Sequence, residues 1–286
     1  MSIRKIIAAV DGSEGSRTAL QTAFSIARRF TAHVLALHVR VEPGHAVPFV
    51  GEGMSGALVQ ELIELTERES AARAAIAREI FDRLQLSAGI PKRSAPGTDG
   101  PSATWAETLP REEDALVRRG RLADLLVVAR PTPDPDGLGH TTLSKALFET
   151  GRPVLVASLE QTESVGRRVV IAWNGGVQAA RAITAALPFL ADAEWVTVVG
   201  VGDEHGDQPG LADVTEYLAW HGISAETHAI ASRGSVGEAL TDVVVASGAG
   251  LVAMGGYSHS RLRELILGGV TRHMLEKAML PLLLAH

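Results

Sequence analysis

The chain has 286 residues, a formal net charge of −6 and no cysteine. Disulfides, Cys-ligated zinc and thiol catalysis are therefore excluded. The charge is spread without long runs of one sign, so nothing resembles the clustered Lys and Arg of a general nucleic-acid surface. The length suits two domains of ordinary size. The apolar run Ile6 to Val10 stops at Asp11, far too short for a signal core or a membrane span, and the expectation is a cytoplasmic protein without a membrane partner.

In chain order, Arg4-Lys5-Ile6-Ile7-Ala8-Ala9-Val10-Asp11-Gly12 returns as Arg167-Arg168-Val169-Val170-Ile171-Ala172-Trp173-Asn174-Gly175. Each copy is a short apolar run closed by a polar residue and a glycine, the pattern of a strand buried on both faces. A helix follows each: Ala19, Leu20, Ala23, Phe24 and Ala27 recur at helical spacing, as do Ala179, Ile183, Ala186, Leu187 and Leu190. Pro188 is expected to kink or shorten the second helix. Second strands are expected at His33 to Val41 and Trp195 to Val201.

The middle segments differ. A long charged helix is expected to bury a stripe of Leu58, Leu62, Leu65, Ala72, Ile76, Ile80 and Leu84; its counterpart, about Leu211 to Trp220, is much shorter. Ser87 to Ser102 is rich in Ser, Pro and Gly and reads as a mobile loop. Third strands are expected at Ala103 to Glu107 and Ala225 to Ile230, then helices at Arg111 to Arg119 and Val236 to Ala246. Fourth strands follow at Leu125 to Ala129 and Leu251 to Met254, and each half closes with a helix and a strand, Pro153 to Ala157 and Pro281 to Ala285. The alternation predicts an α/β fold of two doubly wound, mainly parallel five-stranded sheets. The expected domains are 1–160 and 167–286, divided at the polar stretch Glu160 to Gly166.

The strongest local pattern is Met254-Gly255-Gly256-Tyr257-Ser258, followed after nine residues by Gly268-Gly269-Val270-Thr271. A strand ends in glycines, and two glycines open a helix whose free N–H groups favour phosphate. Ligands of open α/β sheets sit beyond the carboxyl ends of the strands, where strand order reverses. There Asn174 and Gly255 would share a crevice, with Ala172 and Val201 as an apolar wall for a base. No His-Glu-x-x-His, Gly-x-Ser-x-Gly or P-loop lysine is present, and no catalytic residue or metal cluster is assigned. Asp203-Glu204-His205-Gly206-Asp207 reads as a polar loop.

These motifs resemble the universal stress protein family, once per half. Its nucleotide-binding members carry a first strand ending in Asp, and later Gly, two residues, Gly, nine residues, Gly, then Ser or Thr. Gly255 and Gly268 match the first and third glycines; Ser258, Gly269 and Asn174 stand at the second glycine, Ser/Thr and Asp positions. The first half keeps Asp11-Gly12-Ser13, but Ala129-Arg130-Pro131-Thr132 replaces the glycine turn, so it reads as a structural partner. The resemblance implies a Rossmann-like (adenine nucleotide alpha hydrolase-like) topology and a tandem pair forming an intramolecular pseudo-dimer, with a homodimer left open. It also implies a stress-response module that binds ATP or another adenine nucleotide, with or without Mg, in its second half. The alternatives are a nucleotide-free scaffold and a slow ATPase.

Overall fold

The computed structural model describes residues 2–40, 56–97, 99–108, 115–132, 138–160, 165–201, 209–230, 235–256 and 269–286. The first half runs β1 (Lys5–Ala9), α1 (Glu14–Phe30), β2 (His33–Val39), α2 (Gly56–Ser87), β3 (Ser102–Thr108), α3 (Ala115–Gly120), β4 (Leu125–Val128), α4 (Leu138–Glu149) and β5 (Val154–Val156). The second runs β6 (Arg168–Trp173), α5 (Val177–Leu190), β7 (Trp195–Val201), α6 (Leu211–Trp220), β8 (Glu226–Ile230), α7 (Val236–Ser247), β9 (Leu251–Gly255), α8 (Gly269–Lys277) and β10 (Leu282–Ala285). Each half is parallel within itself and has the same winding, β3-β2-β1-β4-β5 and β8-β7-β6-β9-β10.

The α/β class and the Rossmann-like order agree with the sequence reading, but the expectation of two separate sheets needs correction. β5 and β10 pair antiparallel, with Leu155 opposite Leu283, Val156 opposite Leu282 and Val154 opposite Leu284. The result is one ten-stranded sheet. The physical reason is that β5 and β10 are the inner edges of their halves and are buried along their whole length. An apolar edge strand with unpaired N–H and C=O groups must find a partner, and each supplies the other's.

Helices cover both faces. One core joins α1, α2, α5 and α6 to one face through residues such as Phe24, Phe81, Phe189 and Leu218. The other joins α3, α4, α7 and α8 through Leu116, Leu143, Leu240 and Met274. Both cores contain residues from both halves. At the seam, Arg29 donates from Nη1 to Val165 O (3.0 Å) and from Nη2 to Phe189 O (3.1 Å). Phe30 meets Phe189 edge-on at 5.3 Å between ring centroids.

Three local expectations change. First, α2 buries Ser70, Ala74, Ala77, Phe81 and Leu84, whereas Leu58, Leu65 and Ile76 are exposed. A helix of 32 residues is about 48 Å long, while the 7-residue strands beneath it span about 23 Å. Its first turns therefore overhang the sheet. Second, the segment after α2 is tied down. Arg93 N donates to Ala103 O (3.0 Å) and Ala103 N to Pro91 O (3.0 Å), so this stretch lies along the β3 edge. Third, α5 continues through Pro188 to Leu190. Val41 and residues 111–114 of the expected third helix lie outside the described residues.

Arg130 links the halves. Buried at the end of β4, it donates from Nη1 to Met274 O (3.1 Å) and Leu275 O (2.8 Å), and from Nη2 to Leu280 O (2.6 Å). It thus binds carbonyls of the last turn of α8, one of which, Met274 O, also accepts from Ala278 N (3.0 Å), and one carbonyl beyond the helix. Burial pushes the guanidinium down to about 10, so it stays charged at neutral pH. Arg130→Met should lower the unfolding free energy by about 2–3 kcal/mol, the worth of charged hydrogen bonds less the relieved desolvation. Arg130→Lys should not restore it, because lysine lacks the fork. Urea unfolding of the three proteins measures this, and a loss below about 0.5 kcal/mol for Arg130→Met, the scale of an ordinary surface substitution, would contradict it.

Candidate functional site

The second half reverses strand order between β6 and β9, which are adjacent and parallel, with Ala172 beside Met254. Ala172 also pairs with Val199 on β7. Ala172, Met254 and Val199 are buried on one face, and Val270 of α8 packs against the same cluster. β9 and β10 are parallel, so α8 between them runs back along the sheet. Its N-terminus at Gly269 therefore opens at the carboxyl ends of β6 and β9. Asn174 lies two residues beyond Ala172, and Gly255 one beyond Met254. The backbone of Val201 ends β7; its side chain, Ser258 and Gly268 lie outside the described residues, as do residues 203–207.

The polar groups are partly engaged. Asn174 Oδ1 accepts from Gly176 N (3.0 Å), closing a turn at Gly175, where φ is 76°. The turn after β1 is its counterpart: Asp11 Oδ1 accepts from Ser13 N (2.9 Å) and Ser13 Oγ (2.6 Å), Gly12 has φ 88°, and Ser13 Oγ caps α1 by accepting from Ser16 N (3.1 Å). Asp11 is thus a turn residue. Thr271 is buried, so α8 offers an anion its first N–H groups rather than this hydroxyl. The N-cap of α5, Gly176, makes no side-chain hydrogen bond.

The glycines divide into two kinds. A Cβ on Gly255 would lie 2.7 Å from Ala179 N and 2.9 Å from the Gln178 carbonyl carbon. Gly255 is therefore needed where α5 crosses β9. The first half solves the same crossing from the other side: Gly15 on α1, the counterpart of Gln178, faces Ala129, the counterpart of Gly255, and a Cβ on Gly15 would sit 3.2 Å from Ala129 Cβ. Gly269, by contrast, would meet nothing within 4 Å among the described residues.

The first half also has a crevice at its β1–β4 reversal, about 170 Å³ in volume, which the sequence reading did not anticipate. Asp11, Val39, Arg40, Thr141, Thr142 and Lys145 are among its lining residues. Arg40 is paired with Glu107. Counting back from the proline before the last strand exposes the missed signal. Gly268 stands thirteen residues before Pro281 (281 − 268), and His140 thirteen before Pro153 (153 − 140), so Thr141 falls at the Gly269 position. The Pro-rich run after Arg130 hid this agreement. Among the described residues no group of three or more His, Cys, Asp or Glu could hold a metal ion, and no helix is long and apolar enough to cross a membrane.

The sequence profile of the universal stress protein family matches residues 2–148. That is just over half the chain, and the protein belongs to this family. Its fold is similar to that of a universal stress protein from Archaeoglobus fulgidus DSM 4304, at TM-score 0.65 and 15% identity, over 98% of this chain and 97% of the other. A protein of unknown function from Pseudomonas aeruginosa PAO1 aligns over 99% of this chain and 92% of its own, at TM-score 0.55 and 12% identity. These identities establish shared architecture only. No curated protein matches the sequence significantly.

The two kinds of glycine should separate on substitution. Gly255→Ala should cost about 1–3 kcal/mol, the usual penalty for overpacking a tight contact. Gly269→Ala should stay within about 1 kcal/mol of the parent, the size of the helix-propensity difference. Thermal or urea unfolding decides, and equal stability of the two variants would refute the packing role of Gly255.

Proposed function

We propose that this universal stress protein is a nucleotide-responsive stress module that binds one adenine nucleotide, such as ATP, in its second half. The two units 1–160 and 167–286 would form an intramolecular pseudo-dimer in the cytoplasm. The base lies near Ala172, Asn174 and Val201, and the ribose beside Met254, Gly255 and Ser258. The phosphates meet Gly268, Gly269 and the N–H groups of Val270 and Thr271. The observation that carries this reading is the start of α8. Gly269 opens a helix at the strand-order reversal with no side chain of its own and, among the described residues, no atom within 4 Å of where one would be. Helix N-termini in that position suit phosphate, and the spacing from Gly255 to Gly268 is that of the family's nucleotide binders. Asn174 retains acceptor capacity at Oδ1 beyond the turn bond, since an amide oxygen has two lone pairs.

Among the described residues none is identified as a general base, and efficient hydrolysis is not part of the proposal. The first-half crevice, with Thr141 at the Ser/Thr position, favours a second reading in which a ligand also enters that half. Calorimetric titration with ATP, ADP and AMP tests both. One site per chain is expected, and Gly269→Val should weaken it at least tenfold without loss of fold, because a branched side chain would occupy the phosphate approach. Two sites, or one that persists undiminished in Gly269→Val, would support the second reading. No binding at concentrations up to about 1 mM, the weak end of the affinity scale, would overturn the nucleotide proposal and favour a scaffold.

A further inference from the structure

A further cavity lies at neither strand reversal. It is a cleft of about 520 Å³ on the seam between the halves, about three times the volume of the first-half crevice. It exists because β5 and β10 are antiparallel. Val154 opposite Leu284 brings the beginning of β5 beside the end of β10. The cleft is walled by the first half's lower loops on one side and by the outward face of α5 on the other.

Its chemistry is uneven. Arg152 comes from the first half and Arg181 from the second, and both line the cleft. Arg181 is exposed and makes no hydrogen bond or ion pair among the described residues. Arg152 donates from Nε to Arg121 O (3.0 Å), a bond that does not use its terminal nitrogens. The acidic side chain in the lining is Asp124, whose Oδ2 already accepts from Arg4 N (2.8 Å) and Lys5 N (2.9 Å). Both cationic side chains thus line the same cleft, and its one acidic side chain is already engaged by backbone donors. Much of the remaining wall is apolar: Val177, 62% exposed, with Ala180, Ala185 and Pro188, lies along α5, while Ser2, Thr184 and His286 add polar groups. Pro188 has no N–H, so it cannot close the helical bond to the Thr184 carbonyl, and this wall also carries a backbone acceptor.

We propose that this seam cleft binds a small amphipathic carboxylate, its charged end between Arg152 and Arg181 and its apolar body along α5. Two guanidiniums match one carboxylate or similar monoanion. The cleft volume falls in the ordinary range for small-molecule sites. With no glycine cradle in its lining, it is less suited to a polyphosphate chain. This site is separate from the proposed nucleotide site and does not depend on it.

The fluorescent aryl sulfonate 8-anilinonaphthalene-1-sulfonate serves as the probe, titrated into the native, full chain. Saturable binding at one site is expected. Arg152→Gln/Arg181→Gln should weaken it at least tenfold, and Thr184→Trp, at an exposed position on the cleft wall, should block it sterically. These substitutions lie on the surface, and circular dichroism with thermal unfolding should show an unchanged fold. 4-Phenylbutyrate should displace the probe, its uncharged amide should not, and excess ATP should leave the signal in place. Absence of saturable binding, unaltered affinity in the double variant, displacement by ATP, or equal competition by acid and amide would each overturn the proposal.

Discussion

The antiparallel pairing of β5 with β10 is the contact on which the rest of the molecule depends. Each half would otherwise end in a short strand of buried Val and Leu with open backbone groups on one side. Full burial of such a side chain is worth roughly 1.5–3 kcal/mol, and an unpaired buried backbone group costs a comparable amount. Joining the two edges satisfies both requirements at once. Because the register centres on Leu155 and Leu283, the join has a local two-fold character, and it inverts one half relative to the other. Top and bottom of the two halves therefore meet at the seam, and both helical layers become continuous from one half to the other.

Similar winding does not impose identical chemistry. Where a helix crosses the first-half strand β4, the close approach is made possible by Gly15 on the helix; across β9 it is made possible by Gly255 on the strand. Only one partner at each crossing can do without a side chain, and the halves chose opposite partners. A glycine that matches a nucleotide motif can therefore also be fixed by packing, and Gly255 carries both explanations. Gly269 is different, because the fold makes no steric demand on it. For this reason the ligand argument rests on the helix start rather than on the strand end.

Much of the architecture was legible in the chain. The repeat starting at Arg4 and Arg167 marked equivalent strands, and the third strands fell within a residue or two of Ser102–Thr108 and Glu226–Ile230. The joining of the sheets was not legible, because Val154–Val156 and Leu282–Ala285 read like any buried strand, and their partner is set by position in the sheet. The buried face of α2 was misread for a related reason. Large apolar residues such as Leu58 and Leu65 lie on the overhang, while close contact with the sheet selects smaller residues, Ser70, Ala74 and Ala77, together with Phe81. Size and polarity alone favoured the wrong stripe. The seam cleft was invisible for the same reason as the join: Arg152 and Arg181 line one cleft only because the halves are inverted against each other.

The helix at the proposed phosphate site is also held by this arrangement. At its far end, Arg130 of the first half grips the carbonyls of Met274, Leu275 and Leu280. Along its length, His273 packs so closely on α7 that a Cβ on Gly237 would stand 2.7 Å from the imidazole Cγ, and His273 Nε2 meets Thr241 Oγ1 at 3.2 Å. At the beginning of α8, Val270 and Thr271 pack inward, and Gly269 would meet nothing within 4 Å among the described residues. Fixing a helix at its C-terminus and flank holds its N-terminal end in place, so a ligand meeting that end does not have to order it. Arg130 directly follows Ala129, the strand-end counterpart of Gly255 in the first half. The helix proposed to receive a phosphate in one half is thus anchored by the residue next to the strand-end position of the other.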